Sequence, residues 1–216
     1  MRDSLKVFWL CLAAVCCAGQ TAAADYEVEI LVYASLERSA GDARWPVPRE
    51  WPATERALSL GEAGTQSVDT RALQAIADNL RASRQYRPLL HWRWRQPGWD
   101  PKNARAIHVQ IPAGSPLPLT NPPALLDKNL LARLRTLISQ RQPVPPDQPV
   151  LDGTVSLSVS QFPHLAVDLV FLDKDTGLPV QLRETRRMRS GELHYLDHPR
   201  FGVLAQVVSV APGGGN

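Results

Sequence analysis

Tyr26-Glu27-Val28-Glu29-Ile30-Leu31-Val32-Tyr33-Ala34 is the stretch whose reading decides the fold. Tyr26, Val28, Ile30, Val32 and Ala34 recur with a period of two, which places them together on one face of a β-strand. The same alternation returns in Tyr86 to Arg95, where Leu90, Trp92 and Trp94 face one way and His91, Arg93 and Arg95 the other. Pro97-Gly98 ends that run. A similar strand follows at Ala104 to Ile111, close enough to predict an antiparallel hairpin through the 96–103 loop. Further strands are expected at Leu151 to Ser160, Leu165 to Leu172, Val180 to Met188 and Phe201 to Val210, with a turn at Asp173-Lys174-Asp175-Thr176-Gly177.

Helical spacing is rarer. Leu73, Ile76, Ala77 and Leu80 predict a helix over Asp69 to Ser83, with Asp69 or Thr70 as its N-cap. Residues 112–150 read as a proline-rich insertion around one helix, because Leu126, Leu130, Leu134, Leu137 and Ile138 fall near one stripe. Residues 35–66 form a loop with Trp45 and Trp51 as aromatic anchors, and Gly191 to His198 reads as a single helical turn ended by Pro199. The expected class is α+β: a single domain over residues 25–216, mainly antiparallel sheet with one or two helices packed on one face. Residues 211–216 are expected to fray.

Residues 1–24 read as a signal peptide. Arg2 and Lys6 precede the apolar run Val7 to Ala18, and Thr21-Ala22-Ala23-Ala24 offers small residues for cleavage before Asp25. The run is too short to span a bilayer comfortably, and no other segment is apolar enough to do so. All three cysteines, Cys11, Cys16 and Cys17, lie in this segment, and Val15 stands where a lipoprotein would carry its cysteine after Leu12-Ala13-Ala14. The mature chain is therefore expected in the periplasm, unlipidated and without thiols or disulfides. Cleavage removes Arg2, Lys6 and Asp3, so the net charge falls from +3 to +2. The cations are mostly arginine, whose planar fork suits carboxylate and phosphate.

The densest chemistry is Arg186-Arg187-Met188-Arg189-Ser190-Gly191-Glu192-Leu193-His194-Tyr195-Leu196-Asp197-His198-Pro199-Arg200-Phe201-Gly202. So many ionisable groups beside aromatic ones suggest a binding surface or an ordered polar network. His194 and His198, four apart around Asp197, imitate a zinc motif. Pro199, the short aspartate and the lack of an obvious third ligand favour a structural network, in which Arg186, Arg187 and Arg189 pair with Glu192 and Asp197. No catalytic residue, metal site or cofactor is assigned: Gly-x-Ser-x-Gly elbows and phosphate loops are absent. Arginines interleaved with Trp92 and Trp94 would suit nucleic-acid bases, but export argues against that partner. Core burial of both indoles is the competing reading.

These segments together resemble one family. The opening Tyr26-x-Val28-Glu29-Ile30-Leu31-Val32-Tyr33, Tyr86-Arg87-Pro88-Leu89-Leu90-His91-x-x-Trp94-Arg95-Gln96-Pro97, Gly153-Thr154-Val155-x-Leu157-x-Val159-Ser160-Gln161-Phe162-x-His164-Leu165 and the 186–202 run are similar to the CsiV family, periplasmic peptidoglycan-binding proteins of the Gram-negative envelope. The resemblance implies a non-catalytic binder of peptidoglycan that supports cell-wall synthesis and cell shape. It implies as partners a bifunctional peptidoglycan synthase and its outer-membrane lipoprotein activator. The residues then expected at the binding surface are Trp92, Arg93, Trp94, Arg95, Arg186, Arg187, Arg189, Glu192, His194, Tyr195, Asp197 and His198. The arginine-bearing faces of residues 86–95 and 183–189 would engage stem-peptide carboxylates and sugar rings. Two other readings stay open: a protein–protein assembly factor without direct glycan binding, and a metal-dependent hydrolase centred on His194 and His198.

Overall fold

The structure is a computed structural model that describes residues 24–36, 47–62, 65–113, 115, 148–173 and 177–211. The signal segment up to residue 23, Trp45 and the helix expected within 125–138 lie outside the described residues. The elements run β1 Asp25–Ser35, β2 Gln66–Ser67, α1 Gln74–Ala82, β3 Tyr86–Pro97, β4 Ala106–Ile111, β5 Leu151–Val159, β6 Pro163–Asp173, β7 Leu178–Arg187, β8 Leu193–His198 and β9 Phe201–Val210. They form two antiparallel sheets, one of order β2-β3-β1-β9-β8 and one of order β4-β5-β6-β7. The fold is mainly β, broadly α+β, with one short helix among the described residues.

The period-two faces decide which surfaces meet. Val28, Ile30 and Val32 of β1, Trp94 of β3, and Phe201, Val203, Ala205 and Val207 of β9 share one buried cluster with residues of the second sheet, among them Leu157, Leu165, Leu169 and Leu182. Burying apolar area at about 25 cal/mol per Å² is the main stabilising term for such a core. The opposite face of the larger sheet contributes Leu31 and Leu204 to a second cluster with Leu73 and Ala77 of the helical segment. Polar groups inside the main core are matched: buried Trp94 donates from Nε1 to Gln96 Oε1 at 2.8 Å, and Gln96 Nε2 donates to the Leu157 carbonyl at 3.3 Å across the two sheets. A buried ion pair, Arg200 Nη2 to Asp173 Oδ1 at 2.7 Å, ties the β8–β9 turn to the end of β6.

Three expectations are corrected. β3 and β4 are not a hairpin: β3 pairs with β1 and β4 with β5, so the chain crosses between sheets at 98–105. Loop length permitted the hairpin, but β1 already occupies one edge of β3 and β2 the other. Gly191 to His198 is not a helical turn. Gly191, at φ 81°, makes the turn, and Leu193–His198 then pairs in register with β9, Leu196 opposite Val203. Finally, neither Asp69 nor Thr70 caps α1. Glu29 reaches from β1 instead, accepting the Ala72 and Leu73 amides at 2.8 and 2.9 Å.

Candidate functional site

Three polar surfaces compete for the site. The first is the face of β1 and β3 toward α1. Alternation places His91, Arg93 and Arg95 there, away from the core, as read from the sequence. The facing strand supplies the counter-charges. Glu27 accepts from Arg93 at 2.6 Å and from Arg95 at 2.9 Å. Glu29, only 2% exposed, accepts from His91 Nε2 at 2.7 Å while it holds the start of α1. Arg93 also donates to the Thr70 carbonyl at 2.8 Å. Burial pushes the Glu27 carboxyl upward, but the two arginine hydrogen bonds and charges outweigh it, leaving it below the ordinary carboxylate value. Both arginines are thus matched within the fold. Trp94 is fully buried, and Trp92 is partly buried against the core.

The second surface is the 186–202 segment, and the network expected there is largely absent. Arg189 does lie 3.6 Å from Glu192, with both side chains mostly exposed, which is worth little in water. Arg186 pairs instead with Glu184, and the Arg187 guanidinium sits 3.4 Å from the centre of the Phe162 ring. Asp197 accepts from Tyr33 Oη at 3.4 Å, across Gly202, where an added Cβ would sit 2.5 Å from that hydroxyl. Burial, and then the Asp197 charge, push the Tyr33 phenol well above its usual range.

His194 and His198 do not converge. On a strand rising about 3.3 Å per residue, four residues separate them by about 13 Å, too far for one zinc whose bonds to nitrogen span about 2 Å. Each ring has a local role: His194 Nε2 accepts the Arg189 amide at 3.3 Å, and His198 Nδ1 accepts the Arg200 amide at 3.2 Å. Burial, opposed by the Asp197 charge, holds His198 below the ordinary histidine value. Tyr195, 58% exposed, lies on β8, an edge strand of the larger sheet.

The third surface is the outer face of the smaller sheet. Its alternate residues are polar, and register aligns them in rows: His108, Thr154, Asp168 and Arg183 form one, and Ala106, Ser156, Ala166 and Thr185 the next. A groove of about 240 Å³ runs between Thr154, Ser156, Asp168, Arg183 and Thr185. A neighbouring one of about 470 Å³ lies beneath Val47 to Glu50 and shares Arg183. Asp168 is held from both sides, by Gln181 Nε2 at 2.7 Å and Arg183 Nε at 2.9 Å. Sequence reading reached Arg183 only as part of an arginine-bearing face. The signal for the rest was the Ser/Thr/Asp alternation of 152–158, which becomes a surface only through cross-strand register.

Two antiparallel sheets enclose one core and carry arginine–carboxylate pairs on their polar faces. The chain belongs to the CsiV family: the model of that family, described as peptidoglycan-binding protein CsiV, matches residues 6–210. Neither a search of curated proteins nor one of solved structures finds a match.

Proposed function

We propose that this protein is a non-catalytic peptidoglycan-binding protein of the periplasm, exported with loss of residues 1–24, that supports cell-wall synthesis and cell shape. The observation that carries the reading is the family match across residues 6–210, whose description is peptidoglycan binding. Of the residues expected at the surface, Arg186, Arg187, Arg189, Glu192, Tyr195 and Asp197 are exposed, and Arg186, Arg187, Arg189, Glu192 and Tyr195, around the β7–β8 connection, are proposed to make contact. Arg93, Arg95 and Asp197 have partners within the fold, and Trp94 belongs to the core. A bifunctional synthase and its outer-membrane lipoprotein activator are the proposed partners. The edge strand β8 with exposed Tyr195 favours such a protein contact, because an open strand edge and an aromatic anchor are common docking elements.

Co-sedimentation of purified protein with isolated sacculi tests the reading. Binding should fall without vanishing as salt rises, since exposed arginine–carboxylate contacts are screened over about 8 Å at physiological ionic strength. Folded protein that stays wholly in the supernatant at low salt would refute direct binding and leave the protein-partner reading. Intact mass of the periplasmic form should correspond to a chain beginning at Asp25, without a lipid adduct.

A further inference from the structure

We propose that the outer face of the four-stranded sheet, on both sides of Arg183, is a site for the charged stem peptide of the polymer rather than for its sugar rings. The inference rests on the peptidoglycan-binding reading above and names which chemical part of the polymer is held, and where. Three observations lead to it.

The first is shape. Ser156 and Ala166 stand directly opposite each other on β5 and β6, and their small side chains create the floor of the 240 Å³ groove. Thr154 and Asp168 form the next row, two residues along each strand and so about 7 Å away, and the groove lies between the two rows. That width takes one extended peptide backbone.

The second is chemistry. Thr154, Ser156 and Thr185 each bring a hydroxyl that both donates and accepts, which suits the amides of a peptide. Arg183 is 62% exposed, and Nε and Nη2 both lie 2.9 Å from Asp168 Oδ2. That pair engages two of the five guanidinium N–H donors, and the remainder suit a ligand carboxylate. Asp168 and, in the adjoining groove, Glu50 supply the anionic complement for a free amine, with Arg49 a second cation. A ligand with both carboxylates and an amine matches this mixed surface. A purely anionic polymer would meet Asp168, Glu184 and Glu50 as repulsion.

The third is what the grooves lack. Among the described residues no aromatic ring lines either of them, and pyranose rings are held chiefly by flat aromatic faces. The nearby Phe162 ring is already covered by Arg187. Among the described residues the grooves thus offer charge to a peptide rather than a ring face to a sugar.

The test uses purified protein, intact sacculi, and two soluble competitors: glycan strands freed of peptide by an amidase, and a stem peptide. Arg183→Ser should lower co-sedimentation with intact sacculi by about five-fold or more, the scale of losing a charge-assisted bidentate contact. Its melting temperature should stay that of the wild type, because the side chain is exposed. Arg81→Ser on α1, remote from the grooves, should bind as the wild type does. The stem peptide should displace the protein from sacculi and shift amide resonances of residues 154–156, 166–168 and 183–185, whereas the peptide-free glycan strands should do neither. If the wild type binds sacculi but Arg183→Ser binds as the wild type does, or the peptide-free glycan strands compete as well as the stem peptide, the site is overturned while the broader reading stands. If the wild type fails to bind sacculi, the broader reading falls. The peptide titration then decides the site directly: absence of those shifts, or shifts elsewhere, overturns it.

Discussion

Replacing Glu29 with alanine should destabilise the protein more than almost any other single change to a charged residue. Glu29 sits on β1 with 2% of its surface exposed, yet three donors converge on its carboxylate. The Ala72 amide bonds Oε2 at 2.8 Å, the Leu73 amide bonds Oε1 at 2.9 Å, and His91 Nε2 meets Oε1 at 2.7 Å. Arg93 adds a fourth contact, a cationic one, at 3.7 Å. Alanine leaves two amides at the start of α1 and one buried imidazole without their acceptor. Each orphaned buried donor costs about 1–3 kcal/mol, and the losses are not additive, so the whole should come to about 3–5 kcal/mol. For a chain of this size about 2–4 °C of melting temperature corresponds to each kcal/mol, which predicts a drop of about 10 °C. Glu29→Gln keeps an acceptor but sets an NH2 against at least one donor, and should lose about 1–2 kcal/mol. Thermal and urea unfolding measure both variants, and hydrogen exchange localises the damage: the α1 amides should lose protection before those of β9. A melting temperature for Glu29→Ala within about 2 °C of wild type would show that α1 is held by Leu73 and Ala77 packing on Leu31 and Leu204, and that the carboxylate cap is incidental.

Gly153→Ala should prevent accumulation of folded protein, since φ is 147° and the new Cβ would lie 2.1 Å from the Asp168 carbonyl oxygen on the neighbouring strand; a soluble variant with wild-type unfolding would disprove the close approach. Glu27→Gln should cost stability at neutral pH through the Arg93 and Arg95 pairs. Because the native carboxyl is depressed below 4.5, its contribution is complete above that pH and is lost as pH falls further, so the wild-type and variant stability curves should converge in acid. His198 is depressed in the native state, so the unfolded chain takes up the proton first and stability is lost as pH falls below 6.5; His198→Asn, which keeps an acceptor for the Arg200 amide, should flatten that decline, and an unchanged slope would assign it to other groups.

Strands were legible wherever one face is apolar and the other is not. β1, β3 and β9 lie where the period of two placed them, and β9 begins at Phe201 and ends at Val210 as read. Partners were less legible. The β3–β4 hairpin failed because pairing is chosen by long-range competition: β1 offers β3 a register of matched faces from Asp25–Pro97 to Ser35–Tyr86, and no short loop signals that in sequence. β8 was misread for a related reason. Leu193, Tyr195 and Asp197 alternate against His194, Leu196 and His198, but the seven residues between Gly191 and Pro199 also suit a helical turn. Only the β9 partner decides between them.

The same dependence on partners separates the two arginine faces. Arg93 and Arg95 interleave with tryptophan and look, in sequence, like the better ligand surface. Across the strand from them stands Glu27, which pairs with both guanidinium groups and ties that face into the fold. Arg183 sits opposite Asp168 and Thr154 on a sheet face that remains accessible, so its ion pair can be shared with a ligand at small cost. An arginine's availability is therefore set by the neighbouring strand. Substituting Glu27 tests stability and substituting Arg183 tests binding, and neither change should produce the effect of the other.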